Sequence, residues 1–514
     1  SDEPDDEAES VVERHVFRQT LIEEILGELE SRAPKIESVQ QTNLPTGSRR
    51  KSPESINSIA VLPFVNESGD ADLDYLSDGI SESLIDNLSL LPRLRVIART
   101  TVFRYKSRGD ISPNQIGEEL DVEAIVTGRI LLFKGSLTIK IEIVRTSDAA
   151  QLWGDRYSRK FDDVLEIQTE IAHEISDKLR LLLNRSEAKH FPRRETGSPE
   201  AYNFYLKGRY FWNKRSAEWM KKGIECFQQA LDCDPNYALA YSGLADSYIS
   251  LTTIGALSPA SAIPKARAAA EKALEINDRL AEAHAALGFI KNSYDWDFQA
   301  SETHFKRAAE TNPNYSIAYH WHGFCLMMRR QFAESIELMK QAQTLDPLSP
   351  IINIACGLPF YYMRRYDRAI EIYREVLETD ASFFPGHAYL GMALEQNRQY
   401  EDAVSSTLQA LSCAPNNTFA LTSLAHIYAV SGSEEKAQGI VEQLKIESNK
   451  RYITPYGMAE IYAGLKEKEQ ALTHLEKAAA ERSWWLVSAG VNPRFDGLRD
   501  EPRFQAILGK MQIQ

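Results

Sequence analysis

A fixed step of 34 residues constrains this chain more than any other feature. Gly323, Gly357, Gly391, Ala425 and Ala459 form one row of small residues at that step. Ser335, Ala369, Ala403, Ala437 and Ala471 form a second. Leu326, Phe360, Leu394, Tyr428 and Tyr462 form a third, of bulky residues. Three rows in one register imply stacked helix pairs, each of which shields its apolar face only against the next. Small residues belong where two antiparallel helices cross closely, and the bulky row fills the space beside the crossing. Pro235, Pro313, Pro347 and Pro415 close many of the units. Proline has no N–H and cannot continue a helix.

The unit starting at Ser316 carries Tyr319, Gly323, Leu326, Ser335, Met339, Ala342 and Pro347, with His322 at a position that is usually apolar. In this spacing the repeats resemble the tetratricopeptide repeat (TPR) family, which implies an all-α superhelical solenoid. Earlier units are less regular. One uses Tyr205, Gly208, Phe227, Ala230 and Pro235; the next uses Leu244, Ala245, Tyr248, Ala266, Ala270 and Ala273. A third uses His284, Leu287, Gly288, Ala300, Phe305, Ala308 and Pro313. About eight pairs are expected over residues 196–485, opened by the punctuating Thr196-Gly197-Ser198-Pro199. Residues 486–514 read as the cap that covers the last apolar face.

Upstream the pattern changes. Residues 1–9 are strongly acidic, 10–31 have the spacing of an amphipathic helix, and 32–56 read as a linker. From 57 to 190 the order of patterns is β-α-β-α-β-β-β-α, which predicts an α+β domain with a mixed sheet. Its parts are strands at 59–65 and 94–98, helices at 73–91 and 112–120, and a hairpin of 124–133 with 137–145. A third antiparallel strand at 151–159 and a long helix at 162–183 complete it. Ser112 is the expected N-cap of its helix, with Pro113 in the first turn. The segments "SIAVLPFVNESGDADLDYLSDGISESLIDNLS", "LRVIARTTVFRYK", "IGEELDVEAIVTGRI" and "QLWGDRYSRKFDDVLEIQTEIAHEIS" resemble, in order, the TolB amino-terminal-like domain. That resemblance implies a bacterial signalling-type protein, in which such a domain precedes TPR arrays. It also implies that an effector (kinase, cyclase or winged helix) is common upstream; residues 1–55 carry no kinase or cyclase motif.

A net charge of −14 argues against nucleic acid or an anionic membrane as the main partner. Five cysteines without a CxxC fit a reducing, cytoplasmic setting, and no apolar run is long enough for a membrane span. No phosphate loop, dinucleotide fingerprint, HExxH or GxSxG occurs, so no enzyme activity, cofactor or metal is expected. Asp70, Asp72 and Asp74 have the opening spacing of a calcium loop, but Tyr75 and Ser81 stand where glycine and glutamate are needed. An acidic helix N-terminus is the better reading. Asp78, Glu82, Arg99 and Arg104 mark a possible pocket of the α+β domain; the alternative is a set of stabilising caps and ion pairs.

The first helix of each TPR pair lines the concave side. Its second, fifth, ninth, twelfth and thirteenth positions share that face. They bring together His320, Phe324, Met327, Met328, Ile354, Leu358, Tyr361, Tyr362, Met392, His426 and Tyr456 as a partner-binding groove. Met and aromatic residues suit adaptable peptide capture. Burial between adjacent repeats or under the N-terminal domain is the alternative. Arg329, Arg330, Arg364 and Arg365 end these helices and could pair an acidic segment. The expected function is a non-enzymatic scaffold that binds a protein or peptide. The alternative is the sensory half of a larger kinase, cyclase or winged-helix regulator.

Overall fold

The computed structural model describes residues 56–91, 93–108, 111–160, 171, 174–175 and 196–512. The expected acidic tail, amphipathic helix and linker, and almost all of the helix expected at 162–183, lie outside these residues.

The α+β part is built on β1 (Ser58–Val61), which pairs in parallel with β3 (Arg95–Val96) and β4 (Ala124–Phe133). All four β1 residues are buried, as a central parallel strand requires. The strand expected to run to residue 65 breaks at Pro63, which offers no ladder donor. It resumes as β2 (Val65–Asn66), farther along β4. β4, β5 (Ser136–Arg145) and β6 (Gln151–Lys160) form an antiparallel meander, and the sheet order is β3-β1-β4-β5-β6. On β5, Leu137, Ile139, Ile141 and Ile143 alternate into the core and are fully buried. The β4–β5 connection is a two-residue turn. Lys134 and Gly135 both have positive φ (50° and 78°), which matches the right-handed twist of a hairpin.

Helices that accompany the sheet include α1 (Asp74–Ser89), α2 (Arg99–Val102) and α3 (Pro113–Leu120). Ser112 caps α3 in a reciprocal box with Gln115. The acidic triplet before α1 works as local capping: Asp70 accepts from the Asp72 N–H at 2.9 Å, and Asp74 accepts from Asn66 at 2.9 Å. The four-residue α2 leaves too short a periodic trace to be read from sequence, and it sits where the two halves of the molecule meet.

The remainder is a stack of eight helix pairs among the described residues. In order these are α4 (Pro199–Asn213) with α5 (Ala217–Cys233), α6 (Ala238–Thr253) with α7 (Pro259–Ile276), and α8 (Ala281–Ile290) with α9 (Phe298–Thr311). Then come α10 (Ser316–Met328) with α11 (Phe332–Leu345), α12 (Pro350–Tyr362) with α13 (Tyr366–Thr379), and α14 (Phe384–Gln396) with α15 (Tyr400–Cys413). The last two are α16 (Thr418–Val430) with α17 (Glu434–Glu447) and α18 (Pro455–Gly464) with α19 (Lys468–Ala480). The small row has a direct cause. A Cβ on Gly357 would stand 2.3 Å from the Tyr373 ring, one on Gly391 2.2 Å from Thr407 Oγ1, and one on Gly208 2.6 Å from the Phe227 ring. In these pairs the second helix sets a side chain directly against the first helix at that point.

A fourth row at the same step is conformational. Arg330, Arg364, Arg398, Gly432 and Lys466, each ending a first helix, all have positive φ between 62° and 85°. Left-handed backbone costs a non-glycine residue roughly 1 kcal/mol. Arg398 is exposed and no interaction of its side chain offsets that strain. Arg398→Gly is therefore expected to raise the urea midpoint, by about 0.5–1 kcal/mol in free energy. Arg364→Gly is expected to lower it, because Arg364 holds another segment in place, described next.

Candidate functional site: the inner wall and the segment that fills it

After α19 the chain does not simply cap the stack. Residues 484–499, in two short 3-10 turns (Trp484–Ser488 and Pro493–Leu498), run against the concave wall. The helix α20 (Pro502–Lys510) does the capping, with Phe504 buried and Arg503 on Glu469 and Glu476 at 2.7 and 2.8 Å. The inner segment is anchored at three places. Arg482 donates to Tyr294 O at 3.3 Å and stacks on Trp296, 3.7 Å from the ring centroid, which ties it to the third pair. A π-helical turn, Lys291–Asp295, places Tyr294 and Trp296 for this contact. Trp484 and Trp485 lie against Phe289, Phe324 and Phe419, the last stacked at 5.7 Å and 5°. Arg330 donates to Gly490 O at 3.1 Å, and Arg364 to Val491 O at 2.8 Å and Asp496 at 2.9 Å.

Beyond these three places, a buried polar network holds the segment. Arg494 has a fully buried side chain and meets Glu395 at 2.5 Å, Ser423 Oγ at 3.1 Å and Glu460 at 3.6 Å. Asn492 donates to Tyr456 Oη at 2.8 Å and to Glu460 Oε1 at 2.9 Å, and Tyr456 shares a hydrogen bond with Ser488 at 2.7 Å. His426 Nδ1 lies 3.1 Å from Glu395 Oε1, off the line of a good hydrogen bond. Burial alone would raise the Glu395 carboxyl. The Arg494 charge, then His426, outweighs it and holds the group down at about 2.

The groove expected from sequence is therefore not open. Phe324, Met327, Met328, Ile354, Leu358, Tyr361, Tyr362, Met392, His426 and Tyr456 are all buried. His320 is half-buried, and burial keeps it neutral down to about 4. The residues do share one face, but this chain's own C-terminal segment packs along it. The apolar character that suggested a partner serves an intramolecular contact. Arg330 and Arg364 pair with that segment and not with an acidic partner, while Arg329 lies 3.7 Å from Glu302 and Arg365 has contacts of its own. Sequence reasoning missed Arg494 and Asn492, because "NPRFDGL" carries no repeat signal.

One part of the wall stays accessible. A cleft with about 60 Å³ open to the centre of a water-sized sphere lies between the end of α6 and the C-terminal pairs. Its lining includes Ile254, Gly255, Tyr389, Phe419, Tyr452, Trp485, Glu460 and Asn492.

The four residues offered as a pocket of the α+β domain face the array. Glu82 takes Arg209 at 2.5 Å and Asn213 at 3.1 Å, both from α4, with Arg99 Nε at 2.8 Å. Burial raises the Glu82 carboxyl, but Arg209 and Arg99 more than reverse that. Asp78 pairs with Lys106 at 2.6 Å, and Arg104 donates to Leu348 O at 2.9 Å and meets Asp380 at 3.5 Å. Asn314 donates to Ser89 O and Leu94 O and accepts from the Val96 N–H, while Ala98 N donates to Leu345 O at 2.8 Å. This is an interface of ion pairs and backbone bonds that locks the two halves together, and it corrects the pocket expectation. Among the described residues no group of three or more His, Cys, Asp or Glu is placed to hold a metal ion. No helix among them is long and apolar enough to cross a membrane.

Comparison with known proteins bears on both halves. Residues 357–418 match the tetratricopeptide repeat model. Residues 55–175 match the model of the HilA/YgeH-like transcriptional regulator, second domain, where the sequence segments had suggested a TolB-like domain. A putative adenylate cyclase 3 of Rhizobium meliloti is 33% identical over 196 residues, 38% of this chain and 33% of its own length. The transcriptional regulator HilA of Salmonella typhimurium is 23% identical over 324 residues, 62% of this chain and 56% of its own. The chain thus spans about a third to a little over half of these relatives. Among solved structures, an IFIT1 monomeric mutant with Gppp-AAAA has a TM-score of 0.45 at 12% identity, covering 68% of this chain and 76% of that one. Pseudomonas aeruginosa pilF scores 0.31 at 20% identity, covering 41% and 94%. Scores this low carry no weight for function. What these matches establish is a mixed-sheet region similar to the second domain of HilA-like regulators, followed by a TPR-type helical array.

Proposed function

We propose that the chain is a non-enzymatic TPR scaffold that binds a protein or peptide partner in bacterial signalling or regulation. The observation that carries this reading is the aromatic cleft, the part of the inner wall that the chain's own segment leaves accessible. Ile254, Tyr389, Phe419 and Trp485 in its lining supply apolar area, and Glu460 and Asn492 supply orienting polar groups. Ile254 is 44% exposed and lines the cleft.

Peptides selected on the intact chain from a displayed library provide the test. Ile254→Glu is expected to weaken the selected peptides about tenfold or more, which is about 1.4 kcal/mol, without altering helix content. Unchanged affinity would remove the cleft from the binding surface. A second reading is favoured by the relatives. A cyclase-titled protein and a transcriptional regulator each share part of their length with this chain. In that reading the α+β domain, whether nearer to TolB-like or HilA-like domains, passes the state of the array to an effector. The rigid interface through Glu82, Asn314 and Arg104 is the path by which it would do so. A cytoplasmic location belongs to the same proposal and fits five cysteines that form no disulfide.

A further inference from the structure

The outer face of the sheet carries a pattern that the fold does not use. Strand register sets Val65, Arg129, Lys140 and Arg156 in one row across β2, β4, β5 and β6. Leu131, Thr138 and Ser158 make a second row. Phe133, Ser136 and Lys160 make a third, at the β4–β5 turn. Cross-strand neighbours share a face, and this one is opposite to the face on which Leu137, Ile139, Ile141 and Ile143 are buried. A solvated strand face is ordinarily polar. Here Val65 is 55%, Leu131 36% and Phe133 62% exposed, while Ile130 between the last two points inward and is buried. The array is bonded through α1, α2 and β3. β3 is one edge of the sheet and β6 the other, so the meander of β4, β5 and β6 extends away from that interface.

Cations border this apolar strip. Arg129 is taken by Glu67 at 2.8 Å and Lys140 by Glu142 at 2.7 Å, but Lys134, Arg156 and Lys160 have no acidic partner among the described residues. Lys134 Nζ stands 5.2 Å from the centre of the Phe133 ring. Residues 124–160 hold seven basic and three acidic side chains in a chain of net charge −14, so the overall acidity does not extend to this part of the sheet. Exposed apolar side chains beside free cations are complementary to an anionic lipid interface. The apolar groups enter the headgroup boundary, and the long basic side chains stay with the phosphates. A nucleic-acid strand fits less well, because only Phe133 of the three apolar side chains offers a ring for base stacking. A bound peptide fits less well too, because the strip lies on an open sheet face and ends at a hairpin turn, whereas ligand sites are concave.

We propose that the end of the β4–β5 hairpin seats the α+β domain on an anionic lipid surface, with Phe133, Leu131 and Val65 entering the interface and Lys134, Arg156 and Lys160 on the lipid phosphates. The attachment lies on the surface and spans nothing. It is separate from the aromatic cleft of the array, which stays free to bind a polypeptide at the same time. Three apolar side chains and three free cations make a reversible contact that salt weakens, since screening acts on the charged part within about 10 Å at moderate ionic strength.

Sedimentation of the intact chain with vesicles tests this. One set is phosphatidylcholine with about a third phosphatidylserine; the other is phosphatidylcholine alone. The chain is expected to sediment with the anionic set, less so as potassium chloride is raised, and to stay in solution with the neutral set. Leu131→Ser with Phe133→Ser is expected to lower the partition coefficient about tenfold or more. Arg156→Gln with Lys160→Gln should lower it by a similar factor and flatten its salt dependence. Both variants change exposed positions, so circular dichroism and Tm should stay as in the unmodified chain. Phe133→Trp should retain binding, because an indole suits the interface. Ile446→Ser, at a 64% exposed position on α17, controls for apolar surface in general and should change nothing. Failure of the unmodified chain to sediment with anionic vesicles, equal binding to both sets, or undiminished binding by the Leu131→Ser, Phe133→Ser variant would each overturn the proposal. Any of these would leave the strip to a protein partner.

Discussion

Arg494→Met is expected to destabilise the C-terminal pairs by about 3–5 kcal/mol, the usual cost of removing one partner from a buried ionic cluster. The side chain is fully buried between Glu395 and Glu460, and its removal leaves two carboxylates inside the protein with no guanidinium between them. The loss should come from those stranded charges more than from the missing attraction. Adding Glu395→Gln and Glu460→Gln to Arg494→Met should therefore recover a large part of the midpoint in urea. Failure of that recovery would show that Arg494 acts through packing. The intact network also sets a pH response. Glu395 is held at about 2 against an ordinary 4.5, so it contributes stability above about pH 4.5, on the order of 3 kcal/mol. That contribution disappears as pH falls through about 2. Glu395→Gln should flatten the acid limb of a stability-versus-pH curve; an unchanged limb would place the acid sensitivity elsewhere.

Trp484→Ala combined with Trp485→Ala should release the inner segment from the wall. The two rings touch Phe289 of the third pair, Phe324 of the fourth and Phe419 of the seventh. One side chain pair thus ties repeats that are far apart in sequence and fixes the pitch of the stack. Truncating a packed tryptophan costs about 3–5 kcal/mol, and these two are half-buried, so a combined loss of about 5 kcal/mol is reasonable. The sharper readout is local. Amide exchange should rise in residues 482–499 and in Ala281–Ile290, and trypsin should cut after Arg494 or Arg499 while the α+β part stays protected. Uniform loss of protection over the whole chain would mean that the segment is no separate unit. Persistent protection of 482–499 would assign the anchoring to Arg330, Arg364 and Arg494 alone.

Much of the architecture was legible without coordinates because its causes are local. A helix pair is specified by residues within one repeat. Gly357 is small because Tyr373, 16 residues on, needs its space. Ser112 and Gln115 cap their helix three residues apart, and the β4–β5 hairpin closes through two residues. The left-handed row at 330, 364, 398, 432 and 466 was present in the sequence at the right step. Its arginines and lysine hid it, and Gly432 was the one chemical hint. The candidate groove was read correctly as a face and wrongly as a free one. Burial and readiness for a partner place the same residue types on a helix, so composition cannot separate them.

The amino-acid sequence by itself determined the succession of elements: a mixed-sheet domain, then helix pairs at a step of 34 with an inward face rich in aromatic and methionine side chains. Each of those features follows from contacts between residues near in the chain. Tertiary structure alone decided what covers that face. The position of Arg494 between Glu395 and Glu460 joins residues 99 and 34 apart, and the Arg482–Tyr294 contact spans 188. Small rotations between successive pairs add up around the superhelix until its third and last units approach one another. No local pattern encodes that sum, and it determines where the chain's own tail lies.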